Sequence, residues 1–183
     1  MTAADTEQVE REVRELVENS GFELSEEEWK GMILNDFGMG DFRIEGAAII
    51  DILRSNFVRT TILVLLPGQT LPEHKHPITA DSPGKEETLR VLFGSVITFQ
   101  PGEDTTAAPA YSIPVGKETY YTSRRAVVLG KGDQQTLPPD EFHWFQAGPD
   151  GVVTIEFQNR IDETQNIFSD PASAGISIPA SEN

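Results

Sequence analysis

Apolar residues recur with two different periods along this chain, and the change of period divides it into a helical part and a β part. Near the start, Val9, Val13 and Val17 recur at helical spacing, which predicts an amphipathic helix. Ser25 and Glu28 form a capping box, which predicts the start of a second helix. The rest of the chain carries short β-branched or aromatic runs separated by turn signals, one of them at 148–151. The strands predicted from these runs are 47–53, 57–66, 88–99, 119–123, 126–129, 142–146 and 152–158.

Many closely spaced strands with no helices between them predict a mainly β fold, an antiparallel sandwich or barrel, with short N-terminal helices. A length of 183 residues suits a single hydrophobic core, so we expect one domain. Within it, we expect residues 1–44 to form a helical segment packed on the barrel and residues 45–168 to form the barrel. Residues 169–183 are small, polar and interrupted by proline, and we expect a C-terminal tail that lies loosely on the surface.

The composition excludes several functional classes. Thirty acidic residues against fourteen basic ones give a net charge of −16, which repels phosphate backbones and anionic lipids, so we expect neither nucleic acid nor a membrane as partner. The lack of cysteine rules out disulfides, zinc-thiolate sites and thiol nucleophiles. The polar, acidic first residues do not resemble a secretory signal, and we expect a cytoplasmic protein. The acidic residues are spread along the whole chain, which is typical of ordinary solubility or of adaptation to a salt-rich cytoplasm.

The three histidines are the first candidates for chemistry. One residue separates His74 from His76, so on a strand their imidazoles point to the same face and can bind one metal ion. A pair of ordinary surface histidines is the alternative. His143 lies far along the chain, in another predicted strand.

The residues around these histidines resemble the two sequence motifs of the cupin superfamily. The residues that match the first motif are Gly68, His74, His76, Glu87 and Gly94. More residues separate His76 from the glutamate than that motif usually has. Glu86 is therefore an alternative to Glu87, and the spacing to Gly94 favours Glu87.

The second motif is matched by Gly132, Pro138 and His143, with Asp140 in place of its second glycine and Ala147 in place of its asparagine. The resemblance implies a cupin barrel, which is a double-stranded β-helix or jelly roll. It also implies one divalent metal ion bound by four residues: His74, His76, Glu87 and His143. Three imidazoles and a carboxylate suit manganese, which we expect first, with cobalt, iron, nickel or zinc as alternatives.

Longer blocks resemble the D-lyxose isomerase family of sugar ketol-isomerases, from Trp29 to about Pro171. The matching blocks are 35–40, 65–70, 72–77, 83–88, 136–139, 143–149 and 162–164. They are more specific than the cupin spacing, and the long insertion before Glu87 belongs to this resemblance. What it implies is the interconversion of D-lyxose with D-xylulose, and often of D-mannose with D-fructose.

Aldose–ketose isomerisation moves a proton between C1 and C2, which requires an electrophile at the carbonyl and a base at carbon. One metal ion with acid–base residues nearby favours a cis-enediol route over a hydride shift, which generally calls for more than one ion. In the last predicted strand, apolar residues alternate with Thr154, Glu156 and Gln158. If this polar face points into the barrel, Glu156 is the catalytic base. If it points to solvent, Glu163 or Glu86 becomes the candidate.

Lys85 lies two residues before Glu87, and so on the same face of a strand. There its ammonium group could stabilise an enediolate and bind the sugar. A lysine in a solvated loop is the alternative. Asp162 and Glu163 follow the last predicted strand, and we expect them to bind sugar hydroxyls at the mouth of the barrel, with Glu163 also a catalytic candidate.

Two other functions fit three histidines and a glutamate on a cupin barrel. One is an iron(II) oxygenase, which would bind dioxygen and an organic substrate. The other is a non-enzymatic sugar-binding cupin. The isomerase hypothesis implies a monosaccharide as the small-molecule partner. Because the open edges of cupin sheets are commonly buried between copies, we also expect a homodimer.

Overall fold

The computed structural model describes residues 2–104, 111–159 and 165–173. Within these ranges the chain forms two helices and nine strands. The helices are α1, Ala3–Ser20, and α2, Glu26–Lys30. The strands are β1 (Ile33–Asn35), β2 (Ala47–Arg54), β3 (Val58–Leu65), β4 (Thr70–Lys75), β5 (Glu87–Gln100), β6 (Arg125–Gly130), β7 (Gln134–Leu137), β8 (His143–Asn159) and β9 (Ile167–Phe168). No helix in the described ranges is long and apolar enough to cross a membrane.

Both helices begin where side chains satisfy the first backbone N–H groups. The Thr2 hydroxyl accepts a hydrogen bond from the Asp5 N–H, and the Asp5 carboxylate accepts one from the Thr2 N–H. The capping box predicted from Ser25 and Glu28 is confirmed at the start of α2. Helix α1 ends at Gly21, whose φ of 78° is the left-handed conformation that suits glycine. The apolar residues that α1 buries are Val9, Val13 and Val17.

The described strands form one antiparallel sheet that curls on itself, which confirms the mainly β fold class. Along one path the order is β1-β2-β3-β8-β4-β9, and β5 pairs with β6, β7 and β8. Strand β8 pairs with β3, β4 and β5, so it contributes to both sides of the curled sheet. The ends of β4, β5 and β8 are thereby brought close to one another.

The curled sheet separates two main hydrophobic cores. One lies inside the barrel and includes Leu63, Leu89 and Val91. The other lies between the outer face of the sheet and α1, and it includes Ile62 and Val153. Because side chains alternate along a strand, neighbouring residues of β3 and β8 point to opposite cores. The inner core is the one that borders the polar residues considered below.

The strands predicted at 142–146 and 152–158 form one continuous strand, β8. The prediction of a turn between them at 148–151 is therefore wrong. Strands β5 and β8 pair on both sides of this point, and their register shifts on either side of Gly94. Gly94 has a φ of 69°, and a Cβ atom on it would lie 2.0 Å from the Gly151 carbonyl oxygen. The glycines therefore allow a close approach of two paired strands at an irregularity of their register rather than a chain reversal.

The strand predicted at 119–123 is also wrong, because these residues form a turn and an extended segment. The backbone N–H groups of Thr122 and Ser123 donate to the Glu73 carboxylate, each at 2.8 Å, instead of to a neighbouring strand. The aromatic residue that suggested a strand here, Tyr121, is buried because it packs in an aromatic cluster. The four other predicted strands, 47–53, 57–66, 88–99 and 126–129, are confirmed as β2, β3, β5 and β6.

The division of the chain at residues 44 and 168 stays a prediction. The structure describes residues 169–173 of the expected tail, and 174–183 lie outside the described residues. In the described part, Ser169 donates a hydrogen bond to Glu73 and Asp170 is buried, so the chain remains attached to the barrel here.

Candidate metal centre and catalytic site

Strands β4 and β8 bring the three histidines together. His74 lies in β4 and pairs in register with His143 at the start of β8, while His76 follows the end of β4. The ring centroids are 4.5–5.3 Å apart, and the nearest ring nitrogens all lie within 4.8 Å of one another. All three side chains are buried. They are therefore not the surface pair that was the alternative.

Each histidine is held through its Nδ1 atom by an oxygen. The Nδ1 distances are 2.9 Å from His74 to the Pro72 carbonyl, 2.7 Å from His76 to Asn166 Oδ1, and 3.0 Å from His143 to the Glu141 carbonyl. Because these oxygens only accept, Nδ1 carries the proton and Nε2 keeps its lone pair. Within the described residues, Nε2 of His76 and of His143 is buried without a hydrogen-bond partner.

Burial favours the neutral form of His74 and of His76. It lowers the pKa of His74 well below its usual range, and the neighbouring His143 and His76 lower it further. Burial and then the Lys85 ammonium lower the pKa of His76. A neutral imidazole is the form that binds a metal ion.

Glu87 begins β5 and faces the histidines. Its Oε2 lies 3.6 Å from His76 Nε2, and its Oε1 lies 3.3 Å from His143 Nε2. Burial opposes ionisation of Glu87, but the Lys85 ammonium, whose Nζ is 2.9 Å from Oε2, favours it, and the pKa of Glu87 is held well below its usual range. The adjacent Glu86 is exposed, and its carboxylate is not part of this cluster.

This set of donors fits a divalent metal ion. Three neutral imidazoles and an ionised carboxylate are ligands that suit manganese, iron, cobalt, nickel and zinc. A metal ion would also satisfy the buried Nε2 lone pairs of His76 and His143. The hydrogen bonds at Nδ1 are the kind that orient metal-binding histidines. The structure thus brings together the four residues that the sequence proposed as ligands.

Glu156 lies on the inner face of β8, so the polar face of this strand points into the barrel. Its side chain is buried and lines the same cavity as His74 and Glu87. Thr61 Oγ1 donates a hydrogen bond to Glu156 Oε2 at 3.3 Å. Burial, and then the nearby Glu87 carboxylate, raise the pKa of Glu156 to about 8. A carboxyl group with such a pKa can accept and return a proton near neutral pH.

Lys85 is buried in the same cavity, so it is not the solvated loop lysine that was the alternative. Asp162 and Glu163 lie outside the described residues. Glu86 does not line this cavity, and its side chain is exposed.

Several polar residues of the cavity were given no role from the sequence. They are Arg59, Thr61, Gln158 and Asn166. Alternation placed Gln158 on the same face as Glu156. It could also have found Arg59 and Thr61, which are two residues apart on β3. Asn166 gives no such signal. It reaches His76 from 90 positions further along the chain.

No model of a known protein family matches the chain. Curated relatives are similar over most of their length. The D-lyxose/D-mannose isomerase of Thermosediminibacter oceani is 36% identical over 164 residues, which cover 90% of each protein. The D-lyxose ketol-isomerase of Cohnella laeviribosi is 36% identical over 159 residues, or 87% of each protein. The D-lyxose ketol-isomerase of a Thermofilum species is 34% identical over 170 residues, or 91% of this chain and 94% of the relative.

Solved structures with a similar fold include two L-ribose isomerases. The enzyme of Acinetobacter sp. DL28, in complex with L-ribose, superposes with a TM-score of 0.77 at 16% identity and 94% coverage of each chain. That of Cellulomonas parahominis, also with L-ribose, gives 0.75 at 16% identity and 94% coverage. At this identity the likeness concerns the fold, a curled cupin-like barrel.

Proposed function

The chain belongs to the D-lyxose ketol-isomerase family, and from this premise we propose that it is a metal-dependent aldose–ketose isomerase. Its proposed substrates are D-lyxose and D-xylulose, with D-mannose and D-fructose as a second pair. One observation carries the proposal. A single buried cavity holds neutral histidines, the ionised Glu87, the ammonium group of Lys85 and a Glu156 carboxyl of raised pKa.

The proposed cofactor is one divalent metal ion held by four residues: His74, His76, Glu87 and His143. Manganese is the proposed ion, with cobalt, iron, nickel or zinc as alternatives. When bound, the ion supplies Lewis-acid polarisation of the sugar carbonyl. The unsatisfied Nε2 atoms of His76 and His143 support this assignment.

Glu156 is the proposed base. Its carboxylate takes the proton from C2 of the aldose and returns it to C1, while the proton of the O2 hydroxyl moves to O1, which gives the ketose through a cis-enediol. The Thr61 hydroxyl donates to Glu156 Oε2 and so limits the orientations of the carboxylate. The pKa of about 8 supports this role, because the protonated and ionised forms are both accessible near neutral pH.

Lys85 is proposed to bind a sugar oxygen and to stabilise the negative charge of the enediolate. Its ammonium group is oriented by Glu87 at 2.9 Å and is shielded from water, where a fixed charge acts more strongly. Asp162 and Glu163 remain proposed partners for sugar hydroxyls at the mouth of the barrel, with Glu163 an alternative catalytic residue.

The rival functions, an iron(II) oxygenase and a non-enzymatic sugar-binding cupin, give no role to some of the charged residues that line the cavity. Neither requires a buried carboxyl with a pKa suited to proton transfer beside a buried ammonium group. The cis-enediol route is favoured over a hydride shift because the described residues provide ligands for one metal ion at this site.

The test is to incubate the metal-free protein with D-lyxose under exclusion of oxygen, with and without added manganese. We expect D-xylulose to form with the metal and to be absent with a chelator. An oxygenase or a binding protein would form no ketose under these conditions. Parallel reactions with cobalt, iron, nickel and zinc would identify the metal that supports turnover best.

We also propose that the enzyme is a cytoplasmic homodimer. Apolar side chains remain exposed at one end of the sheet, on Leu53, Phe57 and Phe157, and a second copy could cover them. Sedimentation of the wild-type chain and of Phe57→Asp checks the dimer, and we expect the variant to be monomeric.

A further inference from the structure

Gln158 is a buried polar residue of the cavity to which the proposed chemistry gives no role. It follows Glu156 by two residues on β8, so the two side chains lie on the same face. Its register partners are Arg59 on β3 and Glu87 on β5, both of which also line the cavity. Gln158 is thus placed in the wall that a bound sugar would contact.

A chain of hydrogen bonds sets the orientation of the Gln158 amide. Gln158 Nε2 donates to Thr61 Oγ1 at 3.3 Å, and Thr61 Oγ1 donates to Glu156 Oε2 at 3.3 Å. The threonine hydroxyl has a single proton, and in this arrangement it donates that proton to Glu156. Thr61 can then only accept from Gln158, and the atom of Gln158 that donates to it is the amide nitrogen.

This orientation turns the amide oxygen of Gln158 away from Thr61. Within the described part of the chain, Gln158 Oε1 is buried and has no hydrogen-bond partner. A buried acceptor without a donor is unfavourable, and one that persists in a folded protein calls for an explanation, such as a catalytic role or a group that binds there. A sugar hydroxyl is a donor of the required kind.

We propose that Gln158 is a specificity-determining residue whose Oε1 accepts a hydrogen bond from a sugar hydroxyl beyond the reacting C1 and C2 atoms. This inference rests on the proposed function. The reacting atoms must lie beside Glu156 and Lys85, which leaves the hydroxyls at C3, C4 and C5 for Gln158. The same hydrogen-bond chain links the recognised hydroxyl to the catalytic carboxylate.

The test combines a change in the protein with a change in the sugar. D-Lyxose and its 3-deoxy, 4-deoxy and 5-deoxy forms are compared on the wild-type enzyme and on Gln158→Met, which keeps the side-chain length and removes the acceptor. We expect kcat/KM of the wild type to fall about tenfold for one of the deoxy sugars, in keeping with one lost hydrogen bond. Gln158→Met should lose that discrimination.

A matched control is Thr154→Val, on the same face of β8. The Thr154 hydroxyl already donates to the Leu63 carbonyl oxygen, at 3.5 Å, so this variant should discriminate among the sugars as the wild type does. Gln158→Glu keeps an acceptor oxygen and should also retain the discrimination between D-lyxose and the deoxy sugar. This variant tests the inference if Gln158→Met does not fold. Unchanged discrimination in folded Gln158→Met, or lost discrimination in Gln158→Glu, would overturn the inference.

Calorimetry with xylitol separates this inference from the proposed function. If the wild type converts no aldose to a ketose, the proposed function fails, and the binding of this unreactive five-carbon polyol still reports on Gln158. We expect Gln158→Met to bind xylitol about tenfold more weakly than wild type and Thr154→Val to bind it equally well. Equal affinity of all three proteins would contradict the role of Gln158.

Discussion

The barrel contains two buried polar clusters that differ in how completely they are hydrogen-bonded. We call the first the anchor cluster: the buried Glu45, Glu73, Tyr121 and Asp170, together with the half-buried Lys117. In it, Glu73 accepts hydrogen bonds from Thr122 and Ser123 and from the Ser169 hydroxyl. Lys117 Nζ lies 2.7 Å from Glu45 and 3.0 Å from Asp170, and the Tyr121 hydroxyl donates to Glu45 at 2.6 Å.

We call the second the histidine cluster: His74, His76, Lys85, Glu87, His143 and Glu156. It contains buried Nε2 atoms that lack a partner, whereas in the described residues no side-chain atom of the anchor cluster is buried and unsatisfied. Fully paired buried groups stabilise a fold, and the unpaired Nε2 atoms, which lie together beside one cavity, are suited to bind a ligand. Strand β4 contributes one residue to each cluster. Glu73 and His74 are adjacent on this strand, so their side chains point to opposite faces.

The pKa shifts of Lys117 and Glu156 show a corresponding difference between one residue of each cluster. In the anchor cluster, burial opposes the charge of Lys117, but Glu45 and Asp170 outweigh it and raise the pKa of Lys117. The charged form is therefore stabilised by its partners. In the histidine cluster, burial and Glu87 raise the pKa of Glu156, so the charged form is destabilised. Such destabilisation suits a residue that exchanges protons.

The largest effect is expected for His143→Ala. This change removes a proposed ligand that links β8 to the histidines of β4, so we expect the variant to lose most of its bound metal and its detectable isomerase activity while the apolar barrel still folds. Metal per chain after desalting and the circular dichroism spectrum are the measurements. A folded variant that retains a full equivalent of metal would show that His143 is not a ligand.

The next effect concerns the base. Glu156→Gln should reduce turnover about 10²–10⁴-fold, the range typical of losing a positioned general base, with metal content unchanged. Lys85→Met should also reduce turnover, because it removes the charge beside the enediolate. If Glu156→Gln retains near-normal turnover, Glu156 is not the base, and Glu163 becomes the candidate base.

The pH profile distinguishes these two roles. A base acts when ionised, and the pKa of Glu156 is raised to about 8, so turnover should fall as the pH falls through this pKa. A bound cation favours the carboxylate and moves this acidic limb below that value. The limb should disappear in Glu156→Gln and persist in Lys85→Met. Identical profiles of the two variants would contradict the assignment.

The smallest effect on catalysis is expected in the anchor cluster. Glu73→Gln places an amide where several donors converge, and we expect it to lower the free energy of unfolding by about 1–3 kcal/mol while metal content and turnover below the melting transition stay as in wild type. Urea unfolding followed by fluorescence measures the first quantity. A loss of metal as large as that of His143→Ala would mean that the two clusters are not separable in function.

Sequence reasoning predicted the histidine cluster better than the anchor cluster, for physical reasons. Its members follow short-range patterns, namely the pair His74 and His76 and the alternation that places Lys85 with Glu87. The anchor cluster joins Glu73 to residues 122–123 through backbone N–H groups, and a sequence pattern does not reveal such a contact. For the same reason 119–123 was predicted as a strand.

Other differences also reflect contacts between distant segments. The sequence 148–151 has the composition of a turn, yet Gly151 serves the close approach of β8 to β5 at Gly94. Strand β4 was not predicted, because its six residues include a proline and three charged or histidine side chains rather than an apolar run. Asn166 contacts His76 only because β9 pairs with β4.

The central claim, that one cavity transfers a proton through a cis-enediol, is tested most directly by isomerisation in deuterated water. D-Lyxose is converted with manganese through many forward and reverse turnovers, so that slow exchange between the catalytic carboxyl and solvent becomes visible. The account predicts deuterium at C1 of the D-xylulose, seen by proton NMR or mass spectrometry. D-Xylulose that stays unlabelled at C1 throughout would contradict it and indicate a hydride shift.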